Sequence, residues 1–159
     1  MFEHLVHVRW RDTDAMGHVN HVVFLTYLEE GRDAFYAQVL GSDPEYVVAR
    51  LELDLRAEVR YQDQQVTVRI QAERLGTTSL TTQETILTPA GELAAEARVV
   101  TVRWDPSRRQ PIPFSETERT RLAAAMTGPP PSGQAPPRGH RPQGAHATAV
   151  PPTARPGPG

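Results

Sequence analysis

The 159-residue chain contains no cysteine, which removes disulfides, thiolate nucleophiles and cysteine-based zinc or iron-sulfur sites before any motif is considered. It contains no lysine either. All 17 basic residues are arginines, so a lysine Schiff base and a lysine-bearing phosphate loop are both excluded. With a formal charge of −2, the chain lacks the concentrated basic surface with which a duplex nucleic-acid binder displaces counterions, and no nucleic-acid partner is expected. Apolar runs extend only a few residues, too short for a membrane-spanning helix. The opening MFEHLVHVRW places Glu3, His4 and His7 where a secretory signal would carry an apolar core. The expected setting is the cytoplasm, with no membrane partner.

At 159 residues the chain can bury one substantial core and is too short for two ordinary domains. Its composition breaks near Met126. Residues 127–159 hold ten of the 15 prolines, six of the 11 glycines, no acidic residue and a single β-branched aliphatic, Val150. Such a segment cannot bury enough apolar surface to offset the entropy of ordering it, so it reads as a disordered tail. A polyproline ligand, or a weak contact of Arg138, Arg141 and Arg155 with an anionic surface, is the functional alternative. One domain is therefore expected over residues 1–126 and a tail over 127–159.

Within the domain, Leu5, His7 and Arg9 alternate with Val6, Val8 and Trp10, the period of a strand. HVVFLTYLEEGRDAFYAQVLG follows, with Phe24, Leu28, Phe35 and Val39 at helical spacing, Asn20 as N-cap and Gly41 as C-terminal stop. In the first half of this helix Val22, Val23, Phe24, Leu25, Tyr27 and Leu28 span every direction, which predicts cover on most sides. Gly31 predicts a close helix-sheet contact. Strands are then expected in ARLELDLRAEVR (residues 49–60), QVTVRIQAERLG, SLTTQETIL and ELAAEARVVTVRWD, the last two separated by a Pro89-Ala90-Gly91 turn. Ser115 and Glu118 form a capping box for a short closing helix. The class is α+β. One-sided alternation predicts an antiparallel sheet, and the simplest packing curls it around the single long helix.

Between the first strand and that helix lies DTDAMGHVNH, residues 12–21, with two carboxylates, a glycine, an amide and two imidazoles. Three readings compete. Asp12, Asp14, His18 and His21 are all competent metal ligands, but the two histidines straddle a helix start and do not share the i, i+4 face of a zinc helix. Asp, Thr, Gly and Asn are also ordinary turn and cap residues. The third reading is catalytic. Backbone N–H groups around His21 and Val22, unpaired at a helix N-terminus, can polarise a carbonyl and hold a developing oxyanion. Asp14 can attack that carbonyl or deprotonate a water, and His21 can orient the water or share its proton.

DTDAMGHVNH followed by VVFLTYLEEGR resembles the signature of hotdog-fold acyl-CoA thioesterases, the 4-hydroxybenzoyl-CoA thioesterase type with its YbgC-like relatives. The element order, Glu58-Val59-Arg60-Tyr61, Arg74-Leu75-Gly76 and the final RVVTVRWD strand extend the resemblance over roughly residues 3–122. It implies a hotdog fold, with the antiparallel sheet wrapped around one long central helix, and hydrolysis of an acyl-thioester to free acid and CoA without metal or other cofactor. It also implies a homodimer or homotetramer whose acyl pocket forms between subunits. By position, Asp14 matches the catalytic carboxylate, as nucleophile or general base. His21 matches the active-site histidine and supplies the polarising N–H. Gly17 and Asn20 match the turn and cap, with Val22 beside them at the substrate-binding helix start. Asp12 is expected to support the loop.

One departure is Trp10, where YbgC-like enzymes carry a tyrosine; an indole N–H donates but cannot accept. HVN also replaces the VVY of many members. Arg60, Arg74 and Arg103 are eligible to bind CoA phosphates. Glu29 and Glu30 are expected to be structural or solvated. The rival functions are a non-catalytic module binding acyl-CoA or acyl-carrier protein, and a hotdog dehydratase acting on an acyl-thioester.

Overall fold

The computed structural model describes residues 1–41 and 45–126; the expected tail at 127–159 lies outside the described residues. In chain order the elements are β1 (Phe2–His7), α1 (His21–Leu40), β2 (Tyr46–Leu55), β3 (Gln65–Leu75), β4 (Ser79–Leu87), β5 (Leu93–Asp105), β6 (Gln110–Pro111) and α2 (Glu116–Met126). Five strands pair antiparallel in the order β1-β3-β4-β5-β2, and the two-residue β6 adds to β5. The sheet curls against α1, which packs on β1, β3 and β4.

The core follows from two periodicities meeting. Along β3 every second residue, Val66, Val68, Ile70 and Ala72, is buried, and Leu80, Ile86 and Val99 continue that inner face. From α1 the stripe Phe24, Tyr27, Leu28, Gly31, Phe35 lies against it. A Cβ at Gly31 would sit 2.5 Å from Val68 Cγ1, so the missing side chain sets how closely helix and sheet approach. The helix ends as its sequence predicts. Asn20 Oδ1 accepts the Val22 N–H at 3.0 Å, and Gly41 stops the helix at φ 75° with its N–H on the Ala37 carbonyl. The Ser115–Glu118 capping box also forms. No helix among the described residues is long and apolar enough to cross a membrane.

Three expectations need correction. First, the first half of α1 is not covered on most sides: Val22 is 57% and Leu25 38% exposed, because one sheet curls over one side of a helix only. Second, β1 stops at His7. Asp12 Oδ2 accepts the Arg9 N–H at 2.8 Å and turns Trp10–Asp12 into a 3-10 turn, so Trp10 points outward. Third, the strand expected at 49–60 ends as β2 at Leu55. Its alternation runs on, but Arg56 and Ala57 both donate to the Ala94 carbonyl, and the chain then leaves β5.

One polar cluster is buried in this apolar setting. Arg32 Nη1 meets Glu84 Oε2 at 2.7 Å with side chains 4% and 0% exposed, and Thr82 Oγ1 donates to Glu84 Oε1 at 2.8 Å. Burial pushes the Glu84 carboxyl up, against the opposing pull of Arg32 and Thr82.

Candidate active site

The opening motif forms a hairpin. Thr13 bridges antiparallel to Val19, and one step along the same register Asp14 lies opposite His18, its N–H donating to the His18 carbonyl at 2.8 Å. Gly17 closes the turn at φ 80°, a left-handed conformation natural to glycine, with its N–H on the Asp14 carbonyl at 3.0 Å. The Asp14 carboxylate is exposed. Its Oδ1 accepts the Met16 N–H at 2.9 Å, as turn aspartates do.

The segment that leaves β5 completes this hairpin from the far side. His18 bridges to Arg60 and the Val19 N–H donates to the Val59 carbonyl at 2.7 Å. Residues 13–14, 18–19 and 58–60 thus make a miniature antiparallel sheet, in which directly opposed residues share a face and neighbours alternate. Val19 and Val59 face the core and are buried. Asp14, His18, Glu58 and Arg60 share the outer face. There His18 Nε2 lies 2.7 Å from Glu58 Oε2, and Arg60 pairs with the other oxygen of Glu58.

Beneath the hairpin, Asp12 is the buried anchor. Its Oδ2 accepts both the Arg9 N–H and, at 2.7 Å, the Tyr27 hydroxyl; its carbonyl accepts the Asn20 N–H at 2.9 Å. One residue therefore ties the end of β1, the hairpin and α1 together, the supporting role expected of it. Burial, and then the hydrogen bond to Asp12, hold the Tyr27 phenol above its usual range. Arg9 pairs with Glu30 at 2.7 Å on the same seam, while Glu29 is exposed.

At the helix start, two sequence expectations exclude each other. Asn20 can cap only by taking a first-turn N–H, and the one it takes is that of Val22; the Asn20 carbonyl takes the Val23 N–H at 2.9 Å. Val22 is thus corrected from open donor to capped position. Among the described residues the His21 N–H has no partner, so it keeps both a free donor and the positive end of the helix dipole. The His21 side chain is exposed and makes no hydrogen bond there either.

Of the four motif residues competent to bind a metal, Asp12, Asp14 and His18 have separate partners and the His21 side chain has none among the described residues. Among the described residues, no three His, Asp or Glu side chains converge as a metal site. Of the arginines eligible for phosphate, Arg60 is committed to Glu58, and Arg103 to Glu45 at 2.7 Å and Glu118 at 3.1 Å. Arg74 is exposed and makes no ion pair among the described residues. Two surface depressions, one between Glu52 and Arg98 and one between Phe2 and Ala125, lie away from the motif.

Sequence reasoning gave neither Tyr27 nor Glu58 a role at the site. A tyrosine inside an apolar helical stripe looks like core, and Glu58 looks like one more solvated position on the polar face of an alternating run. Only the turn of the chain after Leu55 brings Glu58 to His18.

A profile of the thioesterase-like superfamily matches residues 8–122. No curated protein matches the chain. Among solved structures, a thioesterase from Thermus thermophilus, complexed with coenzyme A and Zn, is 32% identical, with 80% of this chain and 95% of that chain covered and a TM-score of 0.69. A predicted thioesterase from Bacillus stearothermophilus is 29% identical, with 81% and 98% covered and a TM-score of 0.72. A hypothetical protein from Staphylococcus aureus, in complex with CoA, shares the fold at 16% identity, with 88% and 92% covered and a TM-score of 0.74.

Proposed function

The chain belongs to the thioesterase-like superfamily and has its hotdog architecture, and from that premise we propose that it is an acyl-CoA thioesterase of the 4-hydroxybenzoyl-CoA type, with Asp14 as its catalytic carboxylate. The observation that carries this reading is one juxtaposition: an exposed carboxylate on a hairpin, followed within the same motif by a helix start whose His21 N–H is unpartnered among the described residues.

The chemistry follows from those two groups. The His21 N–H polarises the thioester carbonyl and stabilises the oxyanion as it forms, a contribution of about 3–4 kcal/mol for one such donor. Asp14 takes a proton from water as the water oxygen bonds to the carbonyl carbon. Collapse of the oxyanion then breaks the C–S bond, and the sulfur leaves as CoA thiol with the proton Asp14 held. Gly17 and Asn20 act through geometry, the first by shaping the turn behind Asp14, the second by fixing the helix start. Val22 lines that start with an exposed apolar side chain suited to an acyl group.

The site is proposed to work in a homodimer. Among the described residues, edge strand β2 offers ten residues with one side unpaired, and Val47, Val48 and Leu55 on it are exposed. Such an edge calls for a partner, and Val22 and Leu25 would be covered by the same body.

A thiol-release screen over short, long and aromatic acyl-CoAs, with the mass in solution measured alongside, tests the reading. The parent is expected to release CoA from at least one class, and Asp14→Asn to lose at least about 100-fold in kcat while still binding that acyl-CoA. A parent that binds acyl-CoA without releasing thiol would make it a binding module. Release unchanged in Asp14→Asn would remove Asp14 from the chemistry.

A further inference from the structure

We propose that Glu29 and the Tyr46–Asp33 hydrogen bond limit the acyl group of the substrate to about ten carbons, because they end the apolar part of a seam between α1 and β2. The inference rests on the thioesterase reading above and narrows its substrate class to short- and medium-chain acyl groups.

Contacts at its two ends place the seam. α1 packs on β1, β3 and β4, and β2 reaches it where the Tyr46 hydroxyl donates to Asp33 Oδ1 at 2.7 Å. Behind that bond the Tyr36 and Tyr46 rings stack with their centroids 4.9 Å apart. At the other end, the chain that follows β2 meets the chain that precedes α1, with the Val19 N–H on the Val59 carbonyl. Helix and strand therefore run antiparallel, from the His21 N–H at one end to a closed end at Asp33.

The walls follow from register. Along β2, Leu51, Leu53 and Leu55 stand opposite the buried Val99, Ala97 and Ala95; directly opposed residues share a face, so the three leucines line the inner side. On α1, Asp33 on Tyr46 and Tyr36 on Thr101 fix which line of the helix faces β2 and β5. Residues three or four apart share a helix face. Stepping back from Asp33, that line runs through Glu29 and Leu25 to Val22. Val22 and Leu25 are open apolar surface. Glu29 is exposed, and Arg32, the cation one turn on, is turned inward to Glu84. The open side of the seam is the side on which a second copy is proposed above.

Helix rise sets the length. At about 1.5 Å per residue, Leu25 lies about 6 Å, Glu29 about 12 Å and Asp33 about 18 Å along the axis from His21. A zigzag carbon chain with its carbonyl at the His21 N–H advances about 1.25 Å per carbon, so about five carbons reach Leu25 and about ten reach Glu29. To that point the chain meets valine and leucine. Beyond it, added methylenes strip water from the Glu29 carboxylate, which is unfavourable, and about 14 carbons bring the chain against the Tyr46–Asp33 bond.

The test measures kcat/KM by thiol release over straight-chain acyl-CoAs from butanoyl to hexadecanoyl, each below its micellar concentration. The parent is expected to be at least about ten-fold poorer on tetradecanoyl-CoA than on octanoyl-CoA. Glu29→Leu should raise the tetradecanoyl-to-octanoyl ratio at least about five-fold, and Glu29→Gln, which removes the charge at the same length, should recover part of that rise. Tyr46→Val added to Glu29→Leu should extend turnover to hexadecanoyl-CoA. A partly folded variant lowers both rates alike, so the ratio still reads the seam. A parent that hydrolyses tetradecanoyl-CoA as well as octanoyl-CoA overturns the proposal and leaves the thioesterase reading standing. A ratio unmoved by Glu29→Leu overturns the role of Glu29, and a hexadecanoyl rate unmoved by adding Tyr46→Val overturns the closed end. A parent that releases no thiol from any acyl-CoA overturns the thioesterase reading and the length limit with it.

Discussion

Replacing Tyr27 by phenylalanine removes a single oxygen from the seam between the long helix and the motif. That oxygen donates to Asp12 Oδ2 at 2.7 Å, and the two residues are 0% and 5% exposed. The ring volume is kept, so no cavity opens and the change isolates one hydrogen bond to a buried carboxylate. Such a bond contributes about 1.5–3 kcal/mol net, because the oxygen left behind cannot recover the lost partner from solvent. A loss of about 2 kcal/mol is expected, roughly 30-fold in the ratio of folded to unfolded chain. In urea, where stability falls by about 1–3 kcal/mol per molar, the midpoint should drop by about 1 M at constant slope. Protein concentration is held fixed, since self-association would add to apparent stability. The companion measurement is a double-mutant cycle with Asp12→Asn, in which the coupling should reach at least about 1 kcal/mol. If Tyr27→Phe stays within about 0.5 kcal/mol of the parent, or if the two changes add without coupling, then Asp12 is not held by Tyr27, and the account of how the hairpin is anchored is wrong.

Two further perturbations probe the interior. Arg32→Met leaves the Glu84 carboxylate buried without its cation and should cost about 3–5 kcal/mol, whereas Arg32→Met with Glu84→Leu should recover most of that loss; equal losses in the urea midpoint would contradict the pairing. The third prediction concerns alkaline stability. Burial pushes the Tyr36 phenol up to about 12, so the folded chain keeps a proton that the unfolded chain releases near pH 10. This contribution is complete below pH 10 and is lost as pH rises through 12. Tyr36→Phe should therefore flatten the fall in stability over that window by up to about 1.4 kcal/mol per pH unit, measured by urea titration at successive pH values; parallel curves for parent and variant would refute it.

Much of the molecule was legible in residue order because the signals are local. A helix from His21 to Leu40 needs only Asn20 before it, Gly41 after it and an apolar stripe between. The strands after it announce themselves by alternation, and the requirement for Gly31 to lie against the sheet follows from a glycine inside a helix. The same local signals mislead where a distant partner intervenes. Alternation through residues 49–60 reads as one strand, yet pairing with β5 ends at Leu55 and the continuation pairs with the motif. The apolar first half of α1 reads as enveloped, yet one sheet leaves Val22 and Leu25 open.

The candidate site divides along the same line. Asp14, Gly17, Asn20 and His21 stand out in DTDAMGHVNH because a turn, a cap and a helix start have short-range chemistry, and the superfamily too is carried by that string and the order of elements around it. Which N–H is free at the helix start, which carboxylate is buried, and which histidine has a carboxylate beside it are questions of long-range register. They were decided when Tyr27 reached back to Asp12, when Asn20 took the Val22 N–H, and when residues 58–60 crossed to His18. Backbone propensities act over a few residues and can be read along the chain, but an ion pair between positions 18 and 58 exists only once the sheet has curled to bring them together.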